Sequence, residues 1–402
     1  FLRHNPSNSK WFNRDRFVLS AGHGCALLYS LLHLYGYKIS MDDLKKFRQF
    51  GSVTPGHPEY GLTDGVEATT GPLGQGFAMG VGMAMAEKSL ADCFNRKGFP
   101  VIDHYTYAIV SDGDLMEGVA SEAASLAGTL KLGKLIYLYD DNDISIEGKT
   151  SLAFTENVGE RFDAYGWHVQ KVKDGNNIED IEKAIARARD EKARPSLVII
   201  STRIGYGSPK EGKASVHGEP LGAEDAKKTR EFFGFAGAPE FYVPEEVRRY
   251  FGELAKKGAE NEKKWTAVFD EYKKAYPKEA ALLEKYIKAD VNSELIGSLA
   301  FFEPVEGGIA TRTASGKVMN LIENYMTEFI GGSADLAPST KTELSGCGSF
   351  GIAGRCSRNI HFGVREHAMG AIINGMALHG GLIPYAATFL SFLDYMREPV
   401  RL

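Results

Sequence analysis

Short apolar runs alternate with helix-periodic stretches along much of this chain. Four runs have the length and the β-branched, aromatic character of buried strands; they are Tyr105–Val110, Lys134–Tyr139, Trp167–Val172 and Ser196–Ser201. Apolar residues at helical spacing predict helices over Ala21–Leu34, Met41–Phe50 and Ile178–Arg189, and Ser40 is placed as the N-cap of the second. This alternation predicts an α/β fold with a doubly wound parallel sheet and helices on both faces.

Three further regions complete the pattern. Gly71–Ala86 is rich in Gly, Ala and Met, which predicts a loop leading into a closely packed helix. Pro244–Val291 is charged and helix-periodic, and we interpret it as a helical crossing between domains with solvated charged faces. A second α/β unit is predicted from a helix at Ala314–Met326, a strand at Phe329–Ser333 and a helix that begins near Glu366.

Composition narrows the class of protein. The chain has 402 residues, which implies more than one domain because single cores stop growing at about 250–300 residues. A net charge of −5 gives no basic surface for nucleic acid. The four cysteines lack CxxC spacing, which argues against a zinc site and a disulfide scaffold, and we expect Cys25 and Cys93 to be small core or surface residues. No run reaches the ~18 apolar residues of a membrane helix.

Acidic and amide side chains follow two of the predicted strands. The first strand leads into Ser111-Asp-Gly-Asp114, and the second leads into Asp140-Asp-Asn142, thirty positions after Asp112. If these strands are parallel neighbours, Asp112, Asn142 and a nearby backbone carbonyl meet at one edge of the sheet, where α/β folds bind ligands. Such oxygen ligands suit Mg²⁺ or Ca²⁺ holding a diphosphate. The alternative is a pair of acidic surface turns.

The spacing resembles the metal–diphosphate motif of enzymes that use thiamine diphosphate. The usual form begins Gly-Asp-Gly, and this chain has Ser111 in the first position, which does not ligate the metal. Further segments, in the same order along the chain, resemble the transketolase family. They are Arg14–His23, Thr54–Glu59, Thr69–Gly76, Ile204–Ser208, Val216–Leu221, Gly331–Leu336 and Phe362–Gly370.

This resemblance implies a two-domain thiamine diphosphate-binding fold and a transketolase activity. The enzyme would transfer a two-carbon glycolaldehyde unit from a ketose phosphate to an aldose phosphate, in the non-oxidative pentose phosphate pathway. Within the family the rival is a dihydroxyacetone synthase, which uses formaldehyde as acceptor. Two hypotheses lie outside catalysis by this family: a nucleotide-binding oxidoreductase, suggested weakly by the glycines from Gly74 to Gly80, and a non-catalytic homologue.

The resemblance also implies roles in cofactor binding. Asp112, Asn142 and the Ile144 carbonyl would hold Mg²⁺ or Ca²⁺, and Glu366 would hydrogen-bond the pyrimidine nitrogen so that the cofactor can lose its reactive proton. The remaining predicted cofactor contacts are His23, Gly71, Leu73, Gly113, His217, Asp335, Phe389, Phe392 and Tyr395. Taken alone, the three aromatic residues have the i, i+3, i+6 spacing of core packing. The family has Gly-Gly shortly before them, where this chain has Ala386-Ala387.

Sugar phosphates are the implied substrates. His57 and His217 would move protons on and off sugar oxygens, together with His23. Arg312 and Ser339 match contacts to the sugar phosphate. A lone histidine is more often a structural hydrogen-bonding residue than a catalyst.

The family works as a homodimer with sites between subunits, and Glu117 and Glu122 resemble its interface carboxylates. We expect a diphosphate-binding domain over residues 1–245, a crossing over 246–305 and the first half of a pyrimidine-binding domain over 306–402. Against the family pattern, a first helix before Phe1 and the third, carboxyl-terminal domain would lie outside this chain. We expect a cytoplasmic enzyme without nucleic-acid or membrane partners, with organellar targeting left open.

Overall fold

A five-stranded parallel sheet forms the centre of the first α/β unit. The computed structural model describes residues 1–289, 295, 306–352 and 354–402. The strands are β1 (Arg16–Leu19), β2 (Thr106–Ser111), β3 (Leu135–Asp141), β4 (His168–Val172) and β5 (Ser196–Ser201). Their order across the sheet is β1-β2-β3-β5-β4, and each neighbouring pair is parallel. The predicted strands are therefore confirmed to within two residues at each end, and β1 is an additional edge strand.

Helices pack against both faces of this sheet. The helices of this unit are α1 (Cys25–Tyr35), α2 (Met41–Lys45), α3 (Gln75–Phe94), α4 (Asp112–Met116), α5 (Gly118–Thr129), α6 (Val158–Ala164), α7 (Ile178–Asp190), α8 (Ser215–Gly218) and α9 (Ala223–Phe232), of which α3 and α7 lie against the strands. The helix predicted from Ala21 begins at Cys25, because Gly22–Gly24 forms a 3-10 turn. The helix predicted to Phe50 ends at Lys45, because the backbone turns at Arg48, whose φ is 62°.

The predicted helical crossing is two helices, α10 (Glu245–Ala275) and α11 (Pro277–Lys288). Most of the α10 side chains are exposed, as the charge pattern indicated. Its buried face joins the end of α3, where the Tyr272 hydroxyl donates to the Phe94 carbonyl at 2.7 Å. The predicted end of this region at Val291 lies outside the described residues.

The second unit has a three-stranded parallel sheet in the order β7-β6-β8. Its elements are β6 (Phe329–Ser333), β7 (Asn359–His361), β8 (Ile383–Ala387), α12 (Thr311–Tyr325), α13 (Ala337–Thr340), α14 (Glu366–His379) and α15 (Arg397–Arg401). The predicted strand Phe329–Ser333 is confirmed, and the helix predicted from Ala314 begins three residues earlier. Ala386 and Ala387 pair in β8 with Gly332 and Ser333, so their methyl groups sit on extended backbone without strain.

Two glycine-containing helices join the units. A β-carbon on Gly82 of α3 would lie 2.0 Å from the Ile372 carbonyl oxygen of α14, and one on Gly375 would lie 1.9 Å from the Met79 carbonyl oxygen. Only residues without a side chain allow this crossing, because a β-carbon never approaches so closely. The small residues of Gly71–Ala86 therefore lead into a closely packed helix, as predicted.

A disulfide between Cys93 and Cys356 also joins the units, across 263 positions of sequence and with 4.8 Å between the Cα atoms. The Arg355 side chain donates beside it to the carbonyls of Asp92, Cys93 and Asn95, at the end of α3. Cys93 is partly buried against the core, as expected, but its pairing with Cys356 was not predicted, because the spacing of cysteines along the chain does not report which of them meet in space. Cys25 is buried, as expected. Within the described ranges, no helix combines the length and apolar character needed to cross a bilayer.

Candidate active site

Three loops meet at the carboxyl edge of the first sheet. A β-carbon on Gly22, after β1, would lie 2.7 Å from the Thr70 hydroxyl. One on Gly113, after β2, would lie 2.7 Å from a methyl carbon of Leu73. Glycine at these two positions allows the loops after β1 and β2 to pack on the loop before α3. Gly71, Leu73 and Gly113, predicted to touch a cofactor, are thereby brought to one edge.

Asp112 is the first residue of α4 and is buried at this edge. Its Oδ1 accepts a hydrogen bond of 2.5 Å from the hydroxyl of Tyr139, on the neighbouring strand β3. Ser111 is in register with Asp140, so β2 and β3 leave the sheet side by side. The predicted neighbouring parallel strands are confirmed.

The turn after β3 holds Asn142 firmly. Its Nδ2 donates to Oδ2 of Asp140 and its Oδ1 accepts from the Ile144 backbone N–H, each at 3.0 Å. Asp143 has a left-handed backbone, with φ at 63°, and Ile144 bridges to Lys149. The turn therefore presents its side chains on a closed, hydrogen-bonded backbone.

Negative charge accumulates where these turns meet. Burial raises the pKa of Asp112 to about 6; the hydrogen bond from Tyr139 opposes the rise, and the carboxylates of Asp141, Asp140 and Asp143 add to it. Burial is also the main reason that the pKa of Asp141 is raised. A cation placed at this edge would favour the charged form of Asp112, which the buried environment disfavours.

The three candidate histidines approach one another above this edge. The rings of His23 and His217 stack with 4.9 Å between their centres. A β-carbon on Gly71 would lie 3.2 Å from the His57 ring. Burial lowers the pKa of His23, and the nearby His217 and His57 lower it further. Burial also lowers the pKa of His217. Because both pKa values are lowered, both rings are neutral near pH 7. The Nδ1 atom of His217 is buried without a hydrogen-bond partner.

Glu366 begins α14 in the second unit and is buried. Its Oε1 accepts from the Thr388 hydroxyl at 3.1 Å. A cavity of 370 Å³ lies beside it and is lined by Glu122, Val364, Glu366, His367, Phe392 and Tyr395. The ring of Phe389 stacks on that of Phe392, with 5.7 Å between their centres. The predicted carboxyl group and aromatic residues are thus brought together.

The other predicted residues of the second unit lie apart from this cavity lining. Arg312 is exposed in the first turn of α12, and Ser339 is exposed in α13. Asp335 is exposed and has a left-handed backbone, with φ at 62°. These three residues belong to different elements from the histidines.

Comparison with known families now identifies the fold. Residues 1–292 match the family profile "Transketolase, thiamine diphosphate binding domain", and residues 307–402 match "Transketolase, pyrimidine binding domain". The chain belongs to the transketolase family.

Named relatives agree with this. The chain is 57% identical to a transketolase of Geobacillus stearothermophilus and 52% identical to that of Bacillus subtilis; each match covers 100% of this chain and 60% of the relative. The structure matches a Pichia stipitis transketolase in complex with sedoheptulose 7-phosphate, with a TM-score of 0.97 and 46% identity, and the Leishmania mexicana transketolase, with 0.96 and 45%. Both structural matches cover 100% of this chain and 60% of the other. The chain therefore spans about three-fifths of its relatives' length.

The residues present fit the cofactor of the transketolase family. Asp112 and its acidic neighbours form a hard-oxygen edge that a divalent cation would neutralise. Among the described residues, no three His, Cys, Asp or Glu side chains form a metal cluster. The residues that would hold a cation are the predicted ones, Asp112 after β2 and Asn142 and Ile144 after the neighbouring strand β3. The cavity beside Glu366 offers aromatic faces and a carboxyl group, which suit a flat heteroaromatic ring.

Some residues of this candidate site are not apparent from sequence patterns. Tyr139 was predicted only as a strand residue, yet its hydroxyl holds Asp112. Glu122 accepts from the Ala368 N–H at 2.9 Å, so it caps α14 within the same chain. Glu117 is exposed between α4 and α5. The apolar pattern before Asp140 predicted that Tyr139 lies in a strand. Such a pattern does not show which residue a side chain will contact in the folded protein.

Proposed function

We propose that this chain is the cofactor-binding part of an active transketolase. The enzyme transfers a two-carbon glycolaldehyde unit from a ketose phosphate to an aldose phosphate. One observation carries the proposal: Asp112, held by Tyr139, lies at the sheet edge where the loops carrying the histidine candidates also meet. Thiamine diphosphate, when bound, would supply the electron sink that this transfer requires.

The chain's own residues have three tasks in this proposal. Asp112, Asn142 and the Ile144 carbonyl hold Mg²⁺ or Ca²⁺ against the diphosphate. Glu366 hydrogen-bonds the pyrimidine nitrogen and so sets the protonation of the aminopyrimidine. His23, His57 and His217 surround the substrate's hydroxyl groups, and a neutral imidazole can accept a proton from a sugar oxygen. The unpartnered Nδ1 of His217 supports this role, because a buried polar atom needs a partner.

Sugar phosphates are the proposed substrates. A Pichia stipitis relative was crystallised with sedoheptulose 7-phosphate, which is a ketose phosphate. The exposed guanidinium of Arg312 and hydroxyl of Ser339 suit phosphate oxygens. Cofactor and substrate binding would be divided among a first domain over 1–245, a crossing over 246–305 and a second domain over 306–402.

Two measurements test the function. The protein is titrated with thiamine diphosphate with and without Mg²⁺, and separately with NAD, by calorimetry. We expect binding only of thiamine diphosphate, and only with the metal. The full-length polypeptide is then assayed with a ketose phosphate donor and either an aldose phosphate or formaldehyde as acceptor. Tight NAD binding, or preference for formaldehyde, would contradict the proposal.

We further propose a homodimer, working in the cytoplasm. Val364 and Tyr395, which line the Glu366 cavity, are 76% and 64% exposed, and Leu390, in the same 3-10 helix as Tyr395, is 86% exposed. Adjacent exposed apolar side chains are typical of a surface that another chain covers. Sedimentation velocity on the full-length polypeptide should give a dimer, and a monomer at micromolar concentration would contradict this.

A further inference from the structure

One carboxylate lies at the centre of the three loops of the diphosphate edge. Asp114 is fully buried in α4. Its Oδ1 accepts from the Ser20 hydroxyl at 2.6 Å and from the Gly74 N–H at 2.8 Å. Its Oδ2 accepts from the N–H of Ser111 at 2.9 Å and from the hydroxyl of Ser111 at 3.1 Å. Its two oxygens thus accept four hydrogen bonds, two from other loops, at Ser20 and Gly74, and two from Ser111 at the start of its own helix.

Each donor lies close in sequence to a candidate ligand-binding residue. Ser20 precedes the 3-10 turn with His23, Gly74 directly follows Leu73, and Ser111 directly precedes Asp112. Gly74 also has a left-handed backbone, with φ at 77°, so its N–H has a direction that an ordinary residue would not adopt easily. Asp114 therefore sets the position of each loop relative to the others.

We propose that Asp114 is a positioning residue for the diphosphate site. It holds the surrounding segments in place and does not itself contact the ligand. The identity of the ligand rests on the proposed function; the tying of the loops rests on the hydrogen bonds alone. A site assembled before the ligand arrives binds more tightly, because less ordering is required on binding.

Ser111 takes part in the same arrangement. In the usual motif this position is glycine, and here the serine hydroxyl donates to Asp114. The serine side chain therefore forms a hydrogen bond within the turn, to the buried carboxylate of Asp114. Replacing Ser111 by glycine removes one of the four hydrogen bonds and leaves the two that reach Asp114 from other loops, so its effect should be the smaller.

The chain contains a matched control. Ser40 and Asp43 form the same kind of capping box at α2, where Asp43 Oδ2 accepts from the Ser40 N–H at 2.8 Å and from its hydroxyl at 2.6 Å. Asp43 is only partly buried, and these bonds stay within its own helix start. A comparison of the two aspartates separates helix capping from loop tying.

The experiment compares Asp114→Asn with Asp43→Asn in the full-length polypeptide. The side-chain amide introduced by Asp114→Asn would turn its NH₂ toward one pair of donors. A serine hydroxyl can rotate to accept, but the backbone N–H of Gly74 or Ser111 cannot. We expect the dissociation constant for thiamine diphosphate with Mg²⁺ to rise about tenfold to a hundredfold in Asp114→Asn. It should rise about threefold in Ser111→Gly and change less than about twofold in Asp43→Asn.

Amide hydrogen exchange without ligand supplies the second readout. We expect faster exchange at Gly74 and Ser111 in Asp114→Asn and unchanged exchange at these positions in Asp43→Asn. Ser20→Ala removes a donor instead of the acceptor and should give an intermediate loss of binding, which keeps the test valid if Asp114→Asn does not fold. Equal dissociation constants in wild type, Asp114→Asn and Ser20→Ala would overturn the proposal.

Failure of the proposed function gives a different result. If the wild-type polypeptide does not bind thiamine diphosphate, that function is wrong, and exchange at Gly74 alone decides whether Asp114 ties the loops. Unchanged Gly74 exchange in both Asp114→Asn and Ser20→Ala would then overturn the positioning role.

Discussion

The carboxyl edge of the first sheet and the cavity of the second unit differ in the chemistry and the burial of their side chains. At the edge, Asp112 is buried and hydrogen-bonded to Tyr139 on the next strand. Beside the cavity, Phe389 and Phe392 are 40% and 36% exposed, and Tyr395 is 64% exposed. The polar edge is held in place by hydrogen bonds within the chain, whereas the aromatic residues have much of their surface exposed.

This difference suggests a division of labour. A cation that holds a diphosphate takes oxygen ligands, and it is bound more tightly when those ligands are already in place. A flat ring needs apolar faces and one hydrogen-bonding group, which the cavity offers through Glu366. Changes at the edge should therefore affect binding, and changes at Glu366 should affect the reaction.

The strongest test removes the carboxylate at the edge. Asp112→Ala should abolish measurable thiamine diphosphate binding, because the proposed metal loses its only carboxylate ligand. Calorimetry in Mg²⁺ measures this, and EDTA added to wild type should have the same effect. Asp143→Asn is the control, since it removes a negative charge from an exposed position of the same edge and should retain binding. Unchanged affinity in EDTA would contradict the ligand assignment.

Replacement of Glu366 should have the opposite character. Glu366→Ala should leave cofactor binding within a few-fold of wild type and lower kcat about a thousandfold or more, since the lost group acts on proton chemistry. The measurement is kcat together with exchange of the cofactor's C2 proton in the full-length enzyme. Exchange at the wild-type rate would show that Glu366 has another role.

Mixing the two variants examines whether the edge and the cavity cooperate across subunits. Asp112→Ala and Glu366→Ala chains, each inactive alone, should regain roughly one intact site per mixed dimer, if each site combines the edge of one chain with the cavity of the other. Activity is measured after subunit exchange, and differently tagged chains confirm that mixed dimers form. If mixed dimers form and have no activity, Asp112 and Glu366 of one site belong to the same chain.

The smallest effect concerns the support of Asp112. Tyr139→Phe removes the hydroxyl that donates to Asp112 and should weaken metal-dependent binding about threefold to tenfold, the equivalent of about 1 kcal/mol. Tyr137→Phe is the matched control on the same strand, because the Tyr137 hydroxyl donates instead to the Phe77 carbonyl. Equal losses in the two variants would mean that Tyr139 contributes only to stability.

Much of this layout follows from local patterns. The strand Ser196–Ser201 was predicted at its observed bounds, and β2 and β3 within two residues, because a buried strand needs an uninterrupted apolar run. The position of Asp112 and Asn142 at one edge followed from the same strands, since neighbouring parallel strands end on the same side of a sheet. The transketolase motifs then supplied the family, which the comparisons confirm.

Other features arise only when distant parts of the chain meet. Arg16 is fully buried within β1. Because this buried position is charged, the hydrophobic pattern did not predict the strand. The Cys93–Cys356 disulfide joins residues 263 positions apart, and the crossing of α3 with α14 joins residues similarly distant in sequence. In the sequence, Asp114 resembles any helix-capping aspartate; only the fold brings Ser20 and Gly74 within hydrogen-bonding distance of it. Sequence patterns determined which elements form and which edge carries the oxygen ligands; tertiary contacts decided what holds that edge together, because hydrogen bonds between distant loops leave no periodic trace in the chain.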